Sequence, residues 1–187
     1  VNPRKDMAFV CVNCHRIVTS DLNADGRPDL LFADYGFAPE GAQNRFLLSA
    51  PGGRWVDASA NLPQELVLTT SADAADTRGN GRVDVVLLKD EGLHVRARMQ
   101  LLANDGSGRF TLDNGRLPAS LTDTARYDNI FADGRFVRNA GAALPDLVLI
   151  GWGAIPSVYL RNDGTGRFTI GPTLPPSHFS PTNDSGS

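Results

Sequence analysis

The chain has 187 residues, of which 41% are hydrophobic and 21% are charged, and this composition excludes a disordered or collagen-like chain. Glycine (19) and proline (12) are abundant, which favours many turns and short strands over long helices. The formal net charge is −3, so nothing in it points to nucleic acid as a partner. No apolar stretch approaches the roughly 20 residues that span a bilayer, so we expect no membrane insertion.

An internal repeat is the strongest guide to the fold. An acidic segment followed by an apolar run occurs as DLNADGRPDLLFA (21–33) and DTRGNGRVDVVLL (76–88), and more weakly as DGRFVRNAGAALPDLVLI (133–150). A turn and an aromatic residue close the three units, at Trp55, Phe110 and Phe168, which are 55 and 58 residues apart. We therefore predict one repeat-built domain over residues 1–174, with units at about 8–60, 65–115 and 122–172, and a flexible tail at 175–187.

Each unit is predicted to form four short antiparallel strands. The first strands are expected at about 15–20, 67–75 and 125–132, each entering the acidic segment, and the second strands are the apolar runs that follow it. The segments SAPGG, NDGSG and NDGTG then join strands three and four as tight hairpins, because Asn, Asp and Gly tolerate positive φ.

The second strands DLLFA, DVVLL and DLVLI are unbroken apolar runs, which indicates that both of their faces are buried. A sheet buried on both faces needs a neighbouring sheet on each side, and radial stacking in a β-propeller supplies this arrangement. We therefore predict an all-β fold of three β-propeller blades. Because propellers close with roughly 4–8 blades, we expect an arc of a larger ring, of about 6–8 blades, that further blades of the same parent chain complete.

The first acidic segment has the spacing of a calcium loop. Its predicted ligands are Asp21, Asn23, Asp25, the backbone carbonyl of Arg27, and Asp29. Calcium takes six to eight oxygen ligands, and Gly26 permits the sharp turn that such a loop makes at its middle. An apolar strand follows the loop and no helical pattern flanks it, so the site is not an EF-hand. The alternative is a surface turn rich in Asp and Asn that binds no metal.

The other two acidic segments depart from this pattern. The second keeps oxygen side chains at Asp76, Asn80 and Asp84, but its third position is Arg78, which cannot ligate calcium. We expect Arg78 to bridge Asp76 and Asp84 in place of an ion, with a weakened calcium site as the alternative. In the third segment, Asp133 and Asp146 are thirteen residues apart, so the loop is predicted to be stretched and to bind no metal.

The repeat resembles the FG-GAP or VCBS family, whose blades carry a D-x-[DN]-x-D-G-x-x-D loop before an apolar strand, and to which the integrin α-chain propeller is related. The resemblance covers about residues 8–173. It implies calcium at the first loop and a secreted, periplasmic or cell-surface location. It also implies a non-catalytic role in adhesion or in binding a protein or carbohydrate ligand. Extracellular modules bind calcium at about 10⁻⁴–10⁻³ M, which fits such a location.

The segment CVNCH (11–15) matches the attachment signature of c-type haem. His15 would be one axial ligand, and the second would come from the remaining candidates, Met7, Met99, His94 and His178. Its apolar neighbours favour a strand instead. In an extended chain, Cys11 and Cys14 lie about 10 Å apart and beyond disulfide reach, whereas a turn between them would permit a disulfide. A paired-thiol or metal-binding role is a further alternative.

A propeller glycan hydrolase or lyase is the enzyme alternative. Its conceivable acids are Asp34, Asp57, Asp90 and Glu91, but no recognisable acid–base pair or hydrolase motif accompanies them. We expect no catalysis and interpret these carboxylates as solvated strand ends. The best candidate for a ligand-contacting loop is the connection 34–44 with Tyr35 and Phe37, the alternative being that these aromatics cap the edge of a blade.

Overall fold

A computed structural model describes residues 11–90, 99–123, 130–152 and 155–174. The described residues form three four-stranded antiparallel sheets, in each of which the strand order follows the chain, and we call these sheets blades one, two and three. Blade one contains β1 to β4, at Cys14–Ser20, Asp29–Asp34, Arg45–Ala50 and Arg54–Asp57. Blade two contains β5 to β8, at Thr69–Ala75, Asp84–Lys89, Met99–Asn104 and Phe110–Leu112. Blade three contains β9 to β12, at Phe131–Val137, Asp146–Gly151, Val158–Asn162 and Phe168–Ile170.

Helical structure in the described residues is limited to three short segments: the 3-10 turns Ser59–Asn61 and Asn114–Arg116, and the single turn α1 at Ala119–Thr122. None of these helices is long and apolar enough to cross a membrane. The predicted all-β class and the blade architecture are confirmed.

The acidic segments connect the first and second strands of each blade. Strand pairing places Ser20 opposite Asp29, Ala75 opposite Asp84, and Val137 opposite Asp146. The third loop therefore runs from residue 138 to 146 and has the same length as the other two. The prediction of a stretched loop beginning at Asp133 was wrong, because Asp133 lies inside β9 and pairs with Ile150.

The first strand of blade three also lies later in the chain than predicted. It spans Phe131–Val137, not 125–132. A carboxylate in the middle of a strand looks like a loop residue in the sequence, and only the register with β10 shows that the strand continues past it. Residues 125–129 of the predicted strand lie outside the described residues.

Burial of the second strand on both faces is confirmed in blade two, where all six residues of β6 are buried. Successive side chains of a strand point to opposite faces. Val85 and Leu87 accordingly pack into a core shared with blade one, and Val86 and Leu88 into a core shared with blade three. The unbroken apolar run thus reflects two alternating patterns superimposed, one for each neighbouring sheet.

The blades also meet along their first strands, because β5 contacts both β1 and β9. The Phe136 N–H donates to the Asp73 carboxylate at 2.7 Å, and the Ser71 hydroxyl donates to Asp133 at 2.5 Å. Burial raises the pKa of Asp73, although the backbone N–H groups of Phe136 and Ala74 oppose this shift. Adjacent first strands are the arrangement expected around the axis of a propeller.

The hairpins between the third and fourth strands of blades two and three reach back to the preceding blade. The side-chain amide of Asn104 donates to the Leu22 carbonyl at 2.7 Å, and the amide of Asn162 donates to the Thr77 carbonyl at 2.9 Å. A Cβ added at Gly166 would lie 2.6 Å from Arg78 Cγ, whereas one added at the equivalent Gly53 of blade one would meet none of the described residues within 4 Å. Blade two therefore covers Gly166, whereas no described blade covers Gly53.

We expect Gly166→Ala to destabilise the chain more than Gly53→Ala does. Both residues have positive φ, so both substitutions should cost roughly 1–2 kcal/mol in backbone strain. Gly166→Ala should cost about 1–3 kcal/mol more, because the new methyl group overpacks the interface between blades two and three. Urea denaturation of the two variants measures this difference, and equal losses would show that the interface does not constrain Gly166.

A buried ion pair lies at the far end of blade two from the acidic loop. Lys89 Nζ, which is fully buried, lies 3.2 Å from a carboxylate oxygen of Glu65, and the Gln100 amide donates to the other oxygen at 2.9 Å. Burial lowers the pKa of Lys89 to about 8, although the Glu65 carboxylate opposes this shift. The folded protein therefore binds this proton less tightly than the unfolded chain does.

The pH dependence of stability should reveal this buried lysine. Between pH 8 and 10.5 the unfolded chain binds more protons than the folded chain, so the free energy of unfolding should rise with pH across this window, by up to about 3 kcal/mol. Lys89→Met should remove that contribution and flatten the profile, as measured by urea denaturation at pH 7.5, 8.5 and 9.5. Parallel profiles for the wild type and the variant would contradict the prediction.

Candidate functional site

The carboxylates of the first acidic loop accept hydrogen bonds from backbone N–H groups of the same loop. Ala24 and Gly26 both have positive φ, of 59° and 82°, and this turns the chain back toward Asp21. The Asp21 carboxylate then accepts hydrogen bonds from Asp25 N–H at 3.1 Å and Gly26 N–H at 2.8 Å. The turn at the middle of the loop is thus the one that the calcium motif requires.

Asp25 is held by its neighbours in the loop. Its carboxylate accepts hydrogen bonds from the side-chain amide of Asn23 at 2.9 Å and the backbone N–H of Arg27 at 2.9 Å. The Arg27 guanidinium lies 2.5 Å from the same carboxylate. The Asn23 hydrogen bond is the main cause that lowers the pKa of Asp25, against a smaller opposing effect of burial. The group is therefore an anion at neutral pH.

The last carboxylate of the loop has a structural role in all three blades. Asp29 is fully buried, and its two oxygens accept the N–H groups of Leu22 and Ser49, each at 2.9 Å. In blade two, Asp84 accepts the N–H of Asn104 at 3.1 Å, and in blade three Asp146 accepts the N–H of Asn162 at 2.7 Å. Each of these bonds ties the start of the second strand to the end of the third.

The chemistry of the first loop fits calcium. The side-chain donors are three carboxylates and one carboxamide oxygen, and the Arg27 carbonyl supplies a fifth oxygen, all of the hard type that calcium prefers. A carboxylate oxygen has two lone pairs, so the backbone bonds to Asp29 leave it able to ligate. The carboxylates of Asp21, Asp25 and Asp29 do not all three lie within 4.8 Å of one another.

Two arginine side chains pair with the last carboxylate of the second loop. The Arg78 guanidinium lies 2.7 Å from Asp84, and the guanidinium of Arg116 lies 2.9 Å from the other oxygen of the same carboxylate. The expected contact between Arg78 and Asp84 is therefore present. The expected bridge to Asp76 was wrong, because Asp76 accepts backbone N–H groups, with the shortest bond from Gly81 at 2.8 Å. Burial tends to raise the pKa of Asp76, but these N–H groups outweigh it and the pKa is lowered.

Sequence reasoning missed Arg116. It lies in the 3-10 turn after β8, 32 residues from Asp84, and is almost fully buried. It also donates to the Thr77 hydroxyl at 2.9 Å and to the Gly166 carbonyl at 3.0 Å, so it links the second loop to the hairpin of blade three. Nothing in the local sequence marks it, since the equivalent residue of blade one is Asn61.

The third loop keeps its length but not its ligands. Arg138, Ala140 and Ala142 occupy the positions that Asp21, Asn23 and Asp25 hold in the first loop. These three side chains offer no oxygen, and the expectation of no metal at this loop remains a prediction. The Asp146 carboxylate accepts the Tyr159 hydroxyl and, at 3.2 Å, the Asn139 amide. The hydrogen bond to Asp146 raises the pKa of Tyr159.

Cys11 and Cys14 form a disulfide, with their Cα atoms 5.8 Å apart. A bend over residues 12 and 13 brings them together, so the extended segment that would separate the thiols is not observed. The fully buried Asp34 carboxylate accepts the N–H groups of Val12 and Asn13, each at 2.9 Å, and this fixes the bend. The disulfide leaves neither sulfur available for a thioether bond to haem.

In the described part of the chain, a single group of three potential metal-ligating side chains has its atoms within 4.8 Å of one another, and it consists of Cys11, Cys14 and Asp34. It does not resemble a metal centre. Both sulfurs are in the disulfide, and the carboxylate accepts three N–H groups, the third from Gly36 at 3.0 Å. The buried carboxylate is better explained as the anchor of the Cys11–Cys14 bend.

The carboxylates considered as catalytic acids have structural partners. Asp34 anchors the bend, Asp57 accepts the N–H of Ser59 at 2.9 Å, and Asp90 accepts the hydroxyl of Tyr35 at 3.0 Å. The expectation that they are solvated strand ends was wrong for Asp34, which is fully buried. Glu91, His94, His178 and Met7 lie outside the described residues, and Met99 is a buried core residue.

The loop 34–44 combines an anchored aromatic with an exposed one. Tyr35 stacks on the ring of His15 at a centroid distance of 4.6 Å, and its hydroxyl donates to Asp90 of blade two. Burial is the main cause that raises the pKa of Tyr35, and Asp90 adds to it. Phe37 is 69% exposed. Tyr35 therefore caps the blade edge, as one of the two interpretations predicts, whereas Phe37 faces solvent and its contact with a ligand remains a prediction.

A comparison with protein families matches residues 21–87 to the FG-GAP-like repeat. The match begins at the first residue of the first acidic loop and ends inside β6, so it covers most of blade one and the first half of blade two. No curated protein matches the chain. The same strand order and the same loop position recur in all three sheets. The segment 21–87 is thus similar to the FG-GAP-like repeat, and the three four-stranded sheets of the described residues fit β-propeller-like blades.

Proposed function

We propose that this chain is a non-catalytic, calcium-stabilised propeller module that presents loops to a protein or carbohydrate ligand outside the cytoplasm. The observation that carries the proposal is the first acidic loop. Its turn, its oxygen donors and its position between two strands of a blade are those of a calcium loop. The remaining support comes from the disulfide and from the loop 34–44.

The loop residues have defined roles in this proposal. Asp21, Asn23, Asp25, the Arg27 carbonyl and Asp29 would hold the ion. A bound calcium ion would neutralise three carboxylates and link the end of β1 to the start of β2. Asp29 would in addition keep its bonds to Leu22 and Ser49, so the ion would be coupled to the third strand. In blade two, Asp84 is paired with two guanidinium groups. It would therefore link the second strand to the third without an ion.

The disulfide supports a location outside the cytoplasm. Disulfides persist in secreted, periplasmic and cell-surface proteins, and are rare where thiols are kept reduced. The bond between Cys11 and Cys14 closes the bend that precedes β1, beside the loop 34–44. Calcium is also abundant outside cells, where modules with a dissociation constant of about 10⁻⁴–10⁻³ M are occupied.

The loop 34–44 is suited to presenting a side chain to a partner. Tyr35 contacts His15 of blade one and Asp90 of blade two, and so holds the base of the loop. The Phe37 side chain is 69% exposed to solvent. An exposed aromatic on an anchored loop loses little conformational entropy when a ligand covers it. The two acids considered as catalytic beside this loop, Asp34 and Asp90, hold the fold through hydrogen bonds to Val12, Asn13 and Tyr35, which supports a binding role and not a catalytic one.

Calcium should stabilise the chain through the first loop. With 10 mM calcium and a dissociation constant of about 10⁻⁴–10⁻³ M, the free energy of unfolding should rise by about 1.5–3 kcal/mol. Asp25→Ala should remove most of this gain, and the matched variant Asn80→Ala in the second loop should retain it. Thermal melting with calcium and with chelator, together with calorimetric titration, measures both. A melting temperature that chelator leaves unchanged in the wild type would refute the calcium site.

Phe37 should carry a large part of the affinity for the ligand. Truncation of a central aromatic side chain commonly costs 2 kcal/mol or more, so Phe37→Ala should weaken binding at least about tenfold. A glycan array and a panel of purified cell-surface proteins provide the candidate ligands. Trp152→Ala is the matched control, since Trp152 is an exposed aromatic on blade three. Unchanged binding by Phe37→Ala, or chemical turnover of a glycan, would contradict the proposal.

A further inference from the structure

The disulfide between Cys11 and Cys14 lies at the surface, where a thiol reagent can reach it. Both cysteines are partly exposed, and the two residues between them, Val12 and Asn13, are exposed. The chain contains two cysteines, so the bond cannot rearrange to another partner within it. The pair therefore has two states, the disulfide that the structure holds and a reduced dithiol.

The bend that the disulfide closes is bonded to the start of the loop 34–44. Asn13 donates its side-chain amide to the Gly36 carbonyl at 3.1 Å, and its backbone carbonyl accepts the Tyr35 N–H at 2.9 Å. The Asp34 carboxylate accepts two N–H groups of the bend and also that of Gly36, at 3.0 Å. Three consecutive residues of the loop are therefore held by the segment that the disulfide closes.

Asp34 also joins the two ends of the loop. Its own N–H donates to the side-chain oxygen of Asn44 at 2.9 Å, and strand pairing places Asp34 opposite Cys14. An oxygen of its carboxylate lies within 4.8 Å of both sulfur atoms. A displacement of Asp34 would therefore affect the bend and both ends of the loop at once.

The exposed Phe37 follows directly on these contacts. Its carbonyl accepts the N–H of Gly41 at 2.9 Å, which closes a tight turn beyond Gly36. A Cβ on Gly36 would lie 2.4 Å from the backbone carbonyl carbon of Gly41, so the two glycines pack backbone against backbone. The position of Phe37 thus depends on that of Gly36, which the bend and the Asp34 carboxylate hold.

Opening of the disulfide would remove the covalent restraint on the bend. The apolar residues around it favour an extended chain, in which successive N–H groups point to opposite sides and cannot both meet one carboxylate. Asp34 would then lose a donor, and a buried carboxylate is stable only when it is paired or hydrogen-bonded. Reduction therefore favours exposure of this carboxylate to water, and with it release of the start of the loop.

We propose that the Cys11–Cys14 disulfide is a redox switch for the loop 34–44. The closed bond holds the loop in place, and a dithiol reductant that opens the bond releases it. A loss of ligand binding on reduction rests on the proposed function of Phe37, whereas the release of the loop does not.

The exchange with a dithiol reductant proceeds in two steps. One thiol of the reductant loses its proton and attacks a sulfur of the disulfide, and the other cysteine leaves with the electron pair and takes up a proton from water. The second thiol of the reductant then loses its proton and attacks the mixed disulfide, which frees the remaining cysteine as a thiolate that is protonated in turn. Two electrons and two protons pass to the chain, and the reductant becomes a disulfide.

Amide hydrogen exchange in the full chain, labelled with ¹⁵N, tests the switch. About 10 mM dithiothreitol should open the disulfide of the folded chain. Exchange at the N–H groups of Tyr35 and Gly36 should then become at least about tenfold faster, because these groups donate to the bend and to Asp34. The N–H groups of residues 85–88 in the buried strand β6 should keep their rates. Reoxidation with oxidised glutathione should restore slow exchange in the loop.

Two variants separate the covalent bond from other changes in the bend. The double variant Cys11→Ser with Cys14→Ser should show fast exchange at the loop amides without reductant, and reductant should not alter it. Val12→Ala is the matched control, since Val12 is exposed and only its backbone N–H donates to Asp34. It should keep the slow exchange of the oxidised chain and the response to reductant.

Three results would overturn the proposal. Equal exchange of the loop amides in the oxidised and reduced chain would show that the disulfide does not hold the loop. Faster exchange of the β6 amides as well would make the bond a general stabiliser of the fold. A disulfide that reacts only after the chain is unfolded in urea would not be a switch. Unchanged ligand binding by Phe37→Ala would refute the proposed role of Phe37 alone, because this substitution leaves the bend and its bonds to Asp34 in place.

Discussion

The blades depend on a buried carboxylate at the first residue of their second strands. Asp29, Asp84 and Asp146 each accept the backbone N–H of the residue near the end of the third strand. A buried charge is costly unless it is paired or hydrogen-bonded, so the loop before each of these residues has to supply further donors. This requirement fixes the start of the second strand, and with it the registers of both neighbouring strands and the position of the hairpin.

The three loops satisfy the same carboxylate in different ways. Blade one satisfies it with the backbone N–H groups of Leu22 and Ser49. Blade two places Arg78 and Arg116 on it, and blade three uses the Tyr159 hydroxyl and the Asn139 amide. All three blades therefore keep the buried carboxylate, while the groups that hydrogen-bond or pair with it differ. Any donor that compensates a buried anion preserves the blade.

The stacking of the blades explains how a short repeat forms a rigid body. A four-stranded sheet with a second strand apolar on both faces cannot bury that strand alone, and each added blade covers one face of its neighbour. Blade two is the case with both faces covered, and all of β6 is buried. The hairpins of blades two and three each add a hydrogen bond from an asparagine side chain to a carbonyl of the preceding blade, which stabilises the stack. Loops at the rim, such as 34–44, are thereby held on a rigid support.

The repeat, the four-strand unit and the position of the first acidic loop could be predicted from the amino-acid pattern alone, because hydrophobic period, turn residues and the spacing of acidic residues are local properties. The pattern could not place the third loop, since a carboxylate inside a strand and one in a loop look alike until β9 and β10 pair. The contact of Arg116 with Asp84 could not be predicted from the sequence either, and the bend that joins Cys11 to Cys14 was left open. These features become visible only in the folded chain, because they depend on side chains that meet across distant segments or on a buried carboxylate that accepts N–H groups from another segment.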